Sequence, residues 1–155
     1  MQVNAPLPDI RSLLPHSGAM VLLDRVVSAD EDNLCAEVTI RSGALFCSDK
    51  GVGAWVGIEY MSQAIAAYAG YRARQRGEPI RLGFILGTRR YDCSSPLFRI
   101  GSVLRISAKR LFEGENGWAS FDCEIVDVER GPAAKATLTV FRPANVEEVL
   151  RGSAT

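Results

Sequence analysis

The sequence predicts a single α+β domain in which one antiparallel sheet curls around one long helix. Two observations carry this prediction: an apolar, alanine-rich segment with helical spacing over residues 53–77, and several later segments in which apolar and polar side chains alternate. A single helix beside a single sheet has to bury its apolar surface, and a sheet curled around the helix is the compact solution. With 155 residues, the chain is long enough for one domain with a hydrophobic core.

The helix is predicted over residues 53–77. Gly77 is followed closely by a proline, which is a typical helix stop. Large apolar side chains recur at helical spacings and alanines fill much of the remainder, so this helix is expected to be surrounded by other structure. The large side chains are those of Trp55, Ile58, Ile65 and Tyr68.

Strands are predicted on both sides of this helix. Before it, two apolar segments flank an acidic turn, and after it about four segments alternate with period two, separated by short glycine-containing turns. This order is that of the hotdog fold, whose members commonly pair as dimers. The predicted strands are 20–29, 34–40, 83–91, 103–112, 118–128 and 136–141, with a C-terminal tail over 144–155.

Composition excludes several classes of protein. The formal net charge is zero, which argues against a nucleic-acid-binding protein, and no apolar run reaches the roughly 18 to 20 residues of a membrane span. Four widely spaced cysteines and one histidine predict free thiols and no metal site. The N-terminus has neither the basic region nor the long apolar stretch of a secretory signal, so we expect a cytoplasmic protein.

The only histidine, His16, lies in the stretch LLPHSGAMVLLDRV, between a proline and a Ser-Gly pair. A neutral imidazole accepts a proton near pH 7 without large adjustment by its surroundings. If this protein uses an imidazole for proton chemistry, His16 must carry it.

Glu59 is a carboxylate among apolar neighbours on the predicted helix. If the helix is enclosed, Glu59 either finds a partner or is protonated, because burial disfavours the charged form; the alternative is an exposed or salt-bridged side chain. Gln63 lies one turn later and could hydrogen-bond Glu59 or a substrate. Ala66, Ala67 and Gly70 continue this face, and their small size either leaves room for a ligand or allows close packing.

Three segments together resemble one enzyme family. LPHSGAMVLLDRV, GIEYMSQAIAAYAG and RRYDCSSPLFRIGSVLRISAKR are similar to the N-terminal motif, the central helix and a strand–loop–strand segment of bacterial 3-hydroxyacyl-[acyl-carrier-protein] dehydratases. The likeness extends over about residues 13–143 and is closest to the ApeP-like dehydratases of aryl-polyene clusters. Typical members carry their catalytic histidine in a Gly-His-Phe-Pro loop before the helix, whereas residues 43–57 contain none. Either His16 has taken that role, or catalysis has been lost or rebuilt.

The resemblance implies dehydration of 3-hydroxyacyl thioesters on acyl carrier protein to the trans-2-enoyl form, in fatty-acid-like or polyketide biosynthesis. His16 would be the base and Glu59 the acid. Free N–H groups at Gly51 and Gly53, near the helix start, would receive the thioester oxygen with help from Gln63. No cofactor is expected apart from the phosphopantetheine that carries the substrate.

The expected partners are an acyl carrier protein and further hotdog subunits, as a homodimer, a higher oligomer or a heteromer with a related dehydratase. Between Arg72 and Arg110 lie ten basic residues against two acidic ones. This basic half could contact an acidic carrier protein, with Arg89 and Arg90 as the first candidates; the alternative is a set of solvated arginines.

Two other functions fit the same residues. A hotdog thioesterase would use Glu59 to activate water and would need no histidine. A catalytically silent subunit would support an active dehydratase partner, with His16 as a turn residue only.

Overall fold

The computed structural model describes residues 6–80 and 83–143, with eight strands and one α-helix in that part of the chain. The helix α1 comprises Gly57–Arg76. The strands are β1 (Arg25–Ala29), β2 (Asn33–Thr39), β3 (Gly51–Gly53), β4 (Phe84–Cys93), β5 (Leu97–Arg99), β6 (Val103–Glu113), β7 (Trp118–Asp127) and β8 (Gly131–Phe141). Six of them form an antiparallel sheet in the order β1-β2-β6-β7-β8-β4, and β3 pairs with β5. The arrangement is the predicted hotdog fold.

The middle strands of the sheet explain how the helix is enclosed. On β7, and on β6 as far as Ala108, every second side chain is buried, and α1 packs against β2, β6 and β7. The predicted period-two alternation is therefore confirmed, since one face of the sheet covers the helix and the other faces water. The buried residues at the centre of these strands are Leu104, Ile106, Ala108, Phe121, Cys123 and Ile125.

Helix α1 is held at its centre and closed at its end. The Tyr68 ring meets Phe121 edge-on with centroids 5.4 Å apart, and its hydroxyl donates a hydrogen bond to the Glu31 carbonyl. Gly77 adopts a left-handed φ of 68°, and its N–H bonds back to carbonyls of the last turn. The predicted helix stop is confirmed.

The prediction was wrong at the start of the helix, which begins at Gly57 and not at residue 53. The three residues before Ala54 form β3, and the Ala54 N–H bonds to the Pro96 carbonyl at 2.9 Å, so the backbone here is committed to β5 and its flank. Trp55 is 68% exposed rather than part of the enclosed face. The strand β5 was not predicted, because three residues are too few to show a period.

The first strand also begins later than predicted, at Arg25 instead of residue 20. Gly18–Met20 forms a 3-10 turn, and the backbone of this segment bonds to a helix side chain rather than to a neighbouring strand. The predicted tail, 144–155, lies outside the described residues. In the described part of the chain, no helix combines the length and hydropathy needed to cross a membrane.

The N-terminal segment is packed directly on the helix at Gly70. A Cβ at this position would overlap the carbonyl oxygen of Leu13, so only glycine lets the two backbones approach. Leu13 itself is fully buried. The contact fixes the chain three residues before His16 against the second half of α1.

We expect Gly70→Ala to lower the free energy of unfolding by about 1 to 3 kcal/mol, because the added methyl group overpacks this contact. The sign is informative, since alanine has the higher intrinsic helix propensity by about 1 kcal/mol. Urea denaturation at equilibrium measures the change.

Gly87→Ala is the matched control. Gly87 lies on β4 with no atom within 4 Å of an added Cβ, so its substitution should leave stability nearly unchanged. A Gly70→Ala variant as stable as the native chain would contradict the packing described here.

Candidate active site

The structure brings His16 and Glu59 together. The Nε2 atom of His16 lies 3.7 Å from Oε1 of Glu59, and the two side chains are 24% and 38% exposed. One residue comes from the irregular N-terminal segment and the other from the first turn of α1. The separation exceeds a hydrogen bond, so the two groups face each other without a direct bond.

Gln63 joins the two segments that carry this pair. Its Oε1 accepts a hydrogen bond from the Leu22 N–H at 2.9 Å, and its Nε2 donates to the Met20 carbonyl at 2.7 Å and to Glu59 Oε1 at 3.2 Å. The side chain is fully buried. Both amide donors are therefore committed within the protein, and the predicted contact with Glu59 is present.

His16 is held between two anchor points. Leu13 rests on Gly70 on one side, and Met20 is bonded to Gln63 on the other. The His16 Nδ1 atom is buried and has no hydrogen-bond partner among the described residues. The other ring nitrogen, Nε2, is the one that faces Glu59.

Glu59 is less enclosed than the sequence predicts. Apolar neighbours in the sequence suggested an enclosed carboxyl, yet the side chain is 38% exposed in the single chain. The reason is geometric: the helix stripe that carries Glu59 borders a cavity instead of packing against the sheet.

This cavity has a volume of about 170 Å³ and extends along α1 from the His16–Glu59 pair. Its size is similar to that of an engineered apolar cavity of roughly 150 Å³ that takes benzene. Its walls are mostly hydrocarbon, from a stripe of the helix and from strands β4, β7 and β8. The principal wall residues between its ends are Ser62, Ile65, Ala66, Ala69, Ile85, Ala119, Phe121 and Val140.

The sequence left open whether the small residues of the helix leave room for a ligand or allow close packing, and the structure has both arrangements at different positions. Ala66 lines the cavity, whereas Ala67 is fully buried and Gly70 packs on the N-terminal segment. The sequence analysis missed Ser62 and Ala69, which continue the Ala66 stripe at helical spacing. That spacing was the one available signal.

Gly51 and Gly53 lie apart from the cavity. Both belong to β3, where Gly51 pairs with Arg99 and Gly53 with Leu97, and neither is among the residues lining the cavity. Their predicted role in binding the thioester oxygen stays a prediction.

The beginning of α1 is covered by a tyrosine. The Tyr91 hydroxyl donates a hydrogen bond to the Ala54 carbonyl and occupies the space beside Gly57. Burial, with a smaller contribution from Cys93, raises the pKa of Tyr91 to about 12, so the hydroxyl stays a neutral donor. The Tyr91 side chain thus occupies the space beside the first turn of the helix.

Arg89 and Arg90 lie on the exposed strand β4, outside the cavity lining. Arg90 has a left-handed φ of 46° and forms a salt bridge of 3.4 Å with Asp92. Other members of the basic half are paired, as Arg105 is with Glu37. The predicted carrier-protein contact at Arg89 and Arg90 stays a prediction.

The loop before the helix, where typical dehydratases carry their histidine, presents apolar side chains here. Phe46 and Trp55 meet edge-on with ring centroids 5.8 Å apart, and Leu45 beside them is also exposed. Phe46 has a left-handed φ of 66°, which is unusual for a bulky residue. The loop contributes no proton-transfer group to the pair.

Comparison with known structures agrees with this architecture. The dehydratase heterocomplex ApeI:P from Xenorhabdus doucetiae superposes with a TM-score of 0.88 at 29% identity, covering 97% of this chain and 100% of that one. A hypothetical thioesterase with coenzyme A from Streptococcus pneumoniae gives 0.61 at 14% identity, over 76% and 84% of the two chains. The Escherichia coli PaaI protein gives 0.56 at 17%, over 77% and 79%. The last two likenesses show the fold alone.

No curated protein sequence matches the chain significantly. The family model described as ApeP-like, ApeP dehydratase, matches residues 8–151, nearly the whole chain. That match includes the segment of His16 and all of α1. The chain belongs to the ApeP-like dehydratase family.

Proposed function

We propose that this chain dehydrates 3-hydroxyacyl thioesters carried on acyl carrier protein to the trans-2-enoyl form, in fatty-acid-like or aryl-polyene biosynthesis. The observation that carries the proposal is the approach of His16 to Glu59 at one end of an apolar cavity. Membership of the ApeP-like family supports a dehydratase. The cavity walls suit a hydrocarbon chain extending from the reacting carbons.

Each group has a defined part in this elimination. His16 Nε2 takes the proton from the carbon next to the thioester carbonyl, and the electron pair of that C–H bond becomes the new double bond. Glu59, in its acid form, gives its proton to the departing hydroxyl, which leaves as water. No hydride or electron is transferred, so the reaction needs no redox cofactor.

The geometry also offers a way to restore the pair. After one turnover, the imidazole has gained a proton and the carboxyl has lost one. Because Nε2 and Oε1 are 3.7 Å apart, the proton can return from His16 to Glu59 with a small movement of either side chain. A thioesterase that relied on Glu59 alone would have no use for this arrangement.

We expect His16→Ala to abolish dehydration and Glu59→Gln to reduce the turnover rate about 100-fold or more, the range of general acid–base contributions. The assay follows enoyl formation from 3-hydroxyacyl carrier protein, alone and with a related dehydratase from the same organism. Glu78→Gln, an exposed carboxylate beyond the helix end, is the control.

Unchanged turnover in both variants would contradict this mechanism. If activity came only from the added dehydratase and ignored His16, the chain would be a silent subunit. Release of free acid from a saturated acyl carrier protein would identify a thioesterase instead.

Gln63 should act as a positioning residue in this site. We expect Gln63→Leu to lower the free energy of unfolding by about 1 to 3 kcal/mol, because it leaves the Leu22 N–H and the Met20 carbonyl without their partner. Turnover should fall as well, since Glu59 loses its donor. Urea denaturation and the dehydration assay give the two readouts.

The control is the same substitution at Gln75, an exposed glutamine on α1 whose two hydrogen bonds, with Arg72 Nη1 and the Tyr71 hydroxyl, lie in exposed surroundings. Gln75→Leu should change stability by less than about 0.5 kcal/mol. Equal effects of the two substitutions would contradict the special place of Gln63.

A second hotdog subunit is the proposed structural partner, with β4 as the contact. β4 is an edge strand of the sheet, and its residues Ile85 and Leu86 are 41% and 48% exposed. An apolar sheet edge is a template for pairing with another sheet. The similarity to the ApeI:P heterocomplex favours a related dehydratase as that subunit. The acyl carrier protein would contact Arg89 and Arg90, which follow this apolar part of β4.

We expect Leu86→Lys to weaken association with such a subunit about 10-fold or more, since it places a charge in a buried apolar contact. Sedimentation or calorimetry on the co-expressed pair measures this. Leu111→Lys, at a 55% exposed leucine on β6, should leave association unchanged. An intact complex with the Leu86 variant would rule out this edge.

A further inference from the structure

The cavity ends in a group of arginines at the end opposite the His16–Glu59 pair. The residues Arg72, Arg76 and Arg142 line this far end, together with Glu113. Glu113 also serves Arg110 at 3.0 Å, and its contact with Arg142 is longer, at 3.7 Å. Three positive charges against one shared carboxylate leave the far end electropositive.

Arg72 has a buried side-chain donor without a hydrogen-bond partner among the described residues. Its Nη1 donates to Gln75 Oε1 at 3.0 Å, while its Nε is buried and has no partner among the described residues. A buried N–H without a partner is costly, so natural proteins rarely leave one unused. Arg72 itself is one of the residues that line the cavity.

Glu59 lies at one end of the part of α1 that lines the cavity, and Arg72 lies near the other end. Arg72 follows Glu59 by 13 positions on α1, which corresponds to about 20 Å along the helix axis. Between them the wall is apolar, formed by side chains such as Ala66, Phe121 and Val140.

We propose that the far end of the cavity binds an oxygen-bearing group at the end of the acyl chain, such as a carboxylate, and so selects chains that end in a hydrogen-bond acceptor over chains that end in methyl. This inference rests on the proposed function, since it places the thioester at the His16–Glu59 pair. A guanidinium is suited to the task because it remains charged and offers several donors in a fixed geometry.

The phosphate of a phosphopantetheine arm is the other anion that could reach Arg72. The cavity walls disfavour this arm, because its two amides would need hydrogen-bond partners along the way. Between the ends, Ser62 is the polar side chain available on the lining, and the Tyr68 hydroxyl is already bonded to the Glu31 carbonyl. A hydrocarbon chain leaves no such group unpaired.

The test measures binding of acyl-pantetheine amides, in which an amide replaces the thioester so that neither dehydration nor hydrolysis occurs. Pairs of equal length end in carboxylate or in methyl, in a series of lengths from short chains up to about 20 Å. Calorimetry on the native protein should show at least about 10-fold tighter binding of the carboxylate-ended member, the scale of a charge-assisted hydrogen bond. Equal or weaker binding of that member would overturn the proposal.

Arg72→Met should remove this preference, so that the two members of a pair bind with similar affinity. Arg74→Met, on an exposed turn of the same helix and outside the cavity lining, is the matched control. Should Arg72→Met fail to fold, the comparison of the two ligands on the native protein still decides. Repeating the measurement with phosphopantetheine amides tests the arm. If binding depended on the phosphate and not on the group at the end of the acyl chain, the proposal would be refuted.

The readout is binding, so it is independent of turnover. If the protein prefers the carboxylate-ended amide but catalyses no dehydration, the proposed function alone is refuted. If the protein catalyses dehydration of the 3-hydroxyacyl substrate but shows no such preference, the present inference alone is refuted.

Discussion

The site depends on one buried amide. Gln63 holds the Met20–Leu22 backbone and the Glu59 carboxylate with a single side chain that is excluded from water. Hydrogen bonds in such surroundings are costly to lose, because a freed donor or acceptor has no water to replace its partner. This makes the position of the N-terminal segment on the helix, and with it the distance from His16 to Glu59, a consequence of the core itself rather than of a surface loop.

The packing at Gly70 complements this bond. The amide fixes the N-terminal segment after His16, and the contact with Leu13 fixes it before His16. An imidazole in an irregular segment thereby gains the precision that helices and strands give to a site. The same helix carries the stripe of small residues that forms one cavity wall, so a single element carries Glu59, Gln63 and one side of the cavity.

Much of the fold was predictable, because β6, β7 and α1 have long periodic patterns with clear ends. The three-residue strands β3 and β5 were not, since they show no period and exist through their pairing with each other. His16 and Glu59 were identified as chemical groups from residue type, neighbours and resemblance, but their approach is a tertiary contact. The bonds of Gln63 to Met20 and Leu22, and the cavity wall from β4, β7 and β8, also required the folded chain, because they join residues far apart in the sequence.

In the proposed mechanism the base lies in the N-terminal segment, and this has an effect on the loop that precedes the helix. In that mechanism the loop, with its exposed Leu45, Phe46 and Trp55, has no part in proton transfer. Under this mechanism, substitutions in the loop affect folding or contact with other molecules, and they leave catalysis unchanged. Such a surface is free to diverge in sequence between relatives while the reaction stays the same, which makes it a place where subunit choice can evolve independently of chemistry.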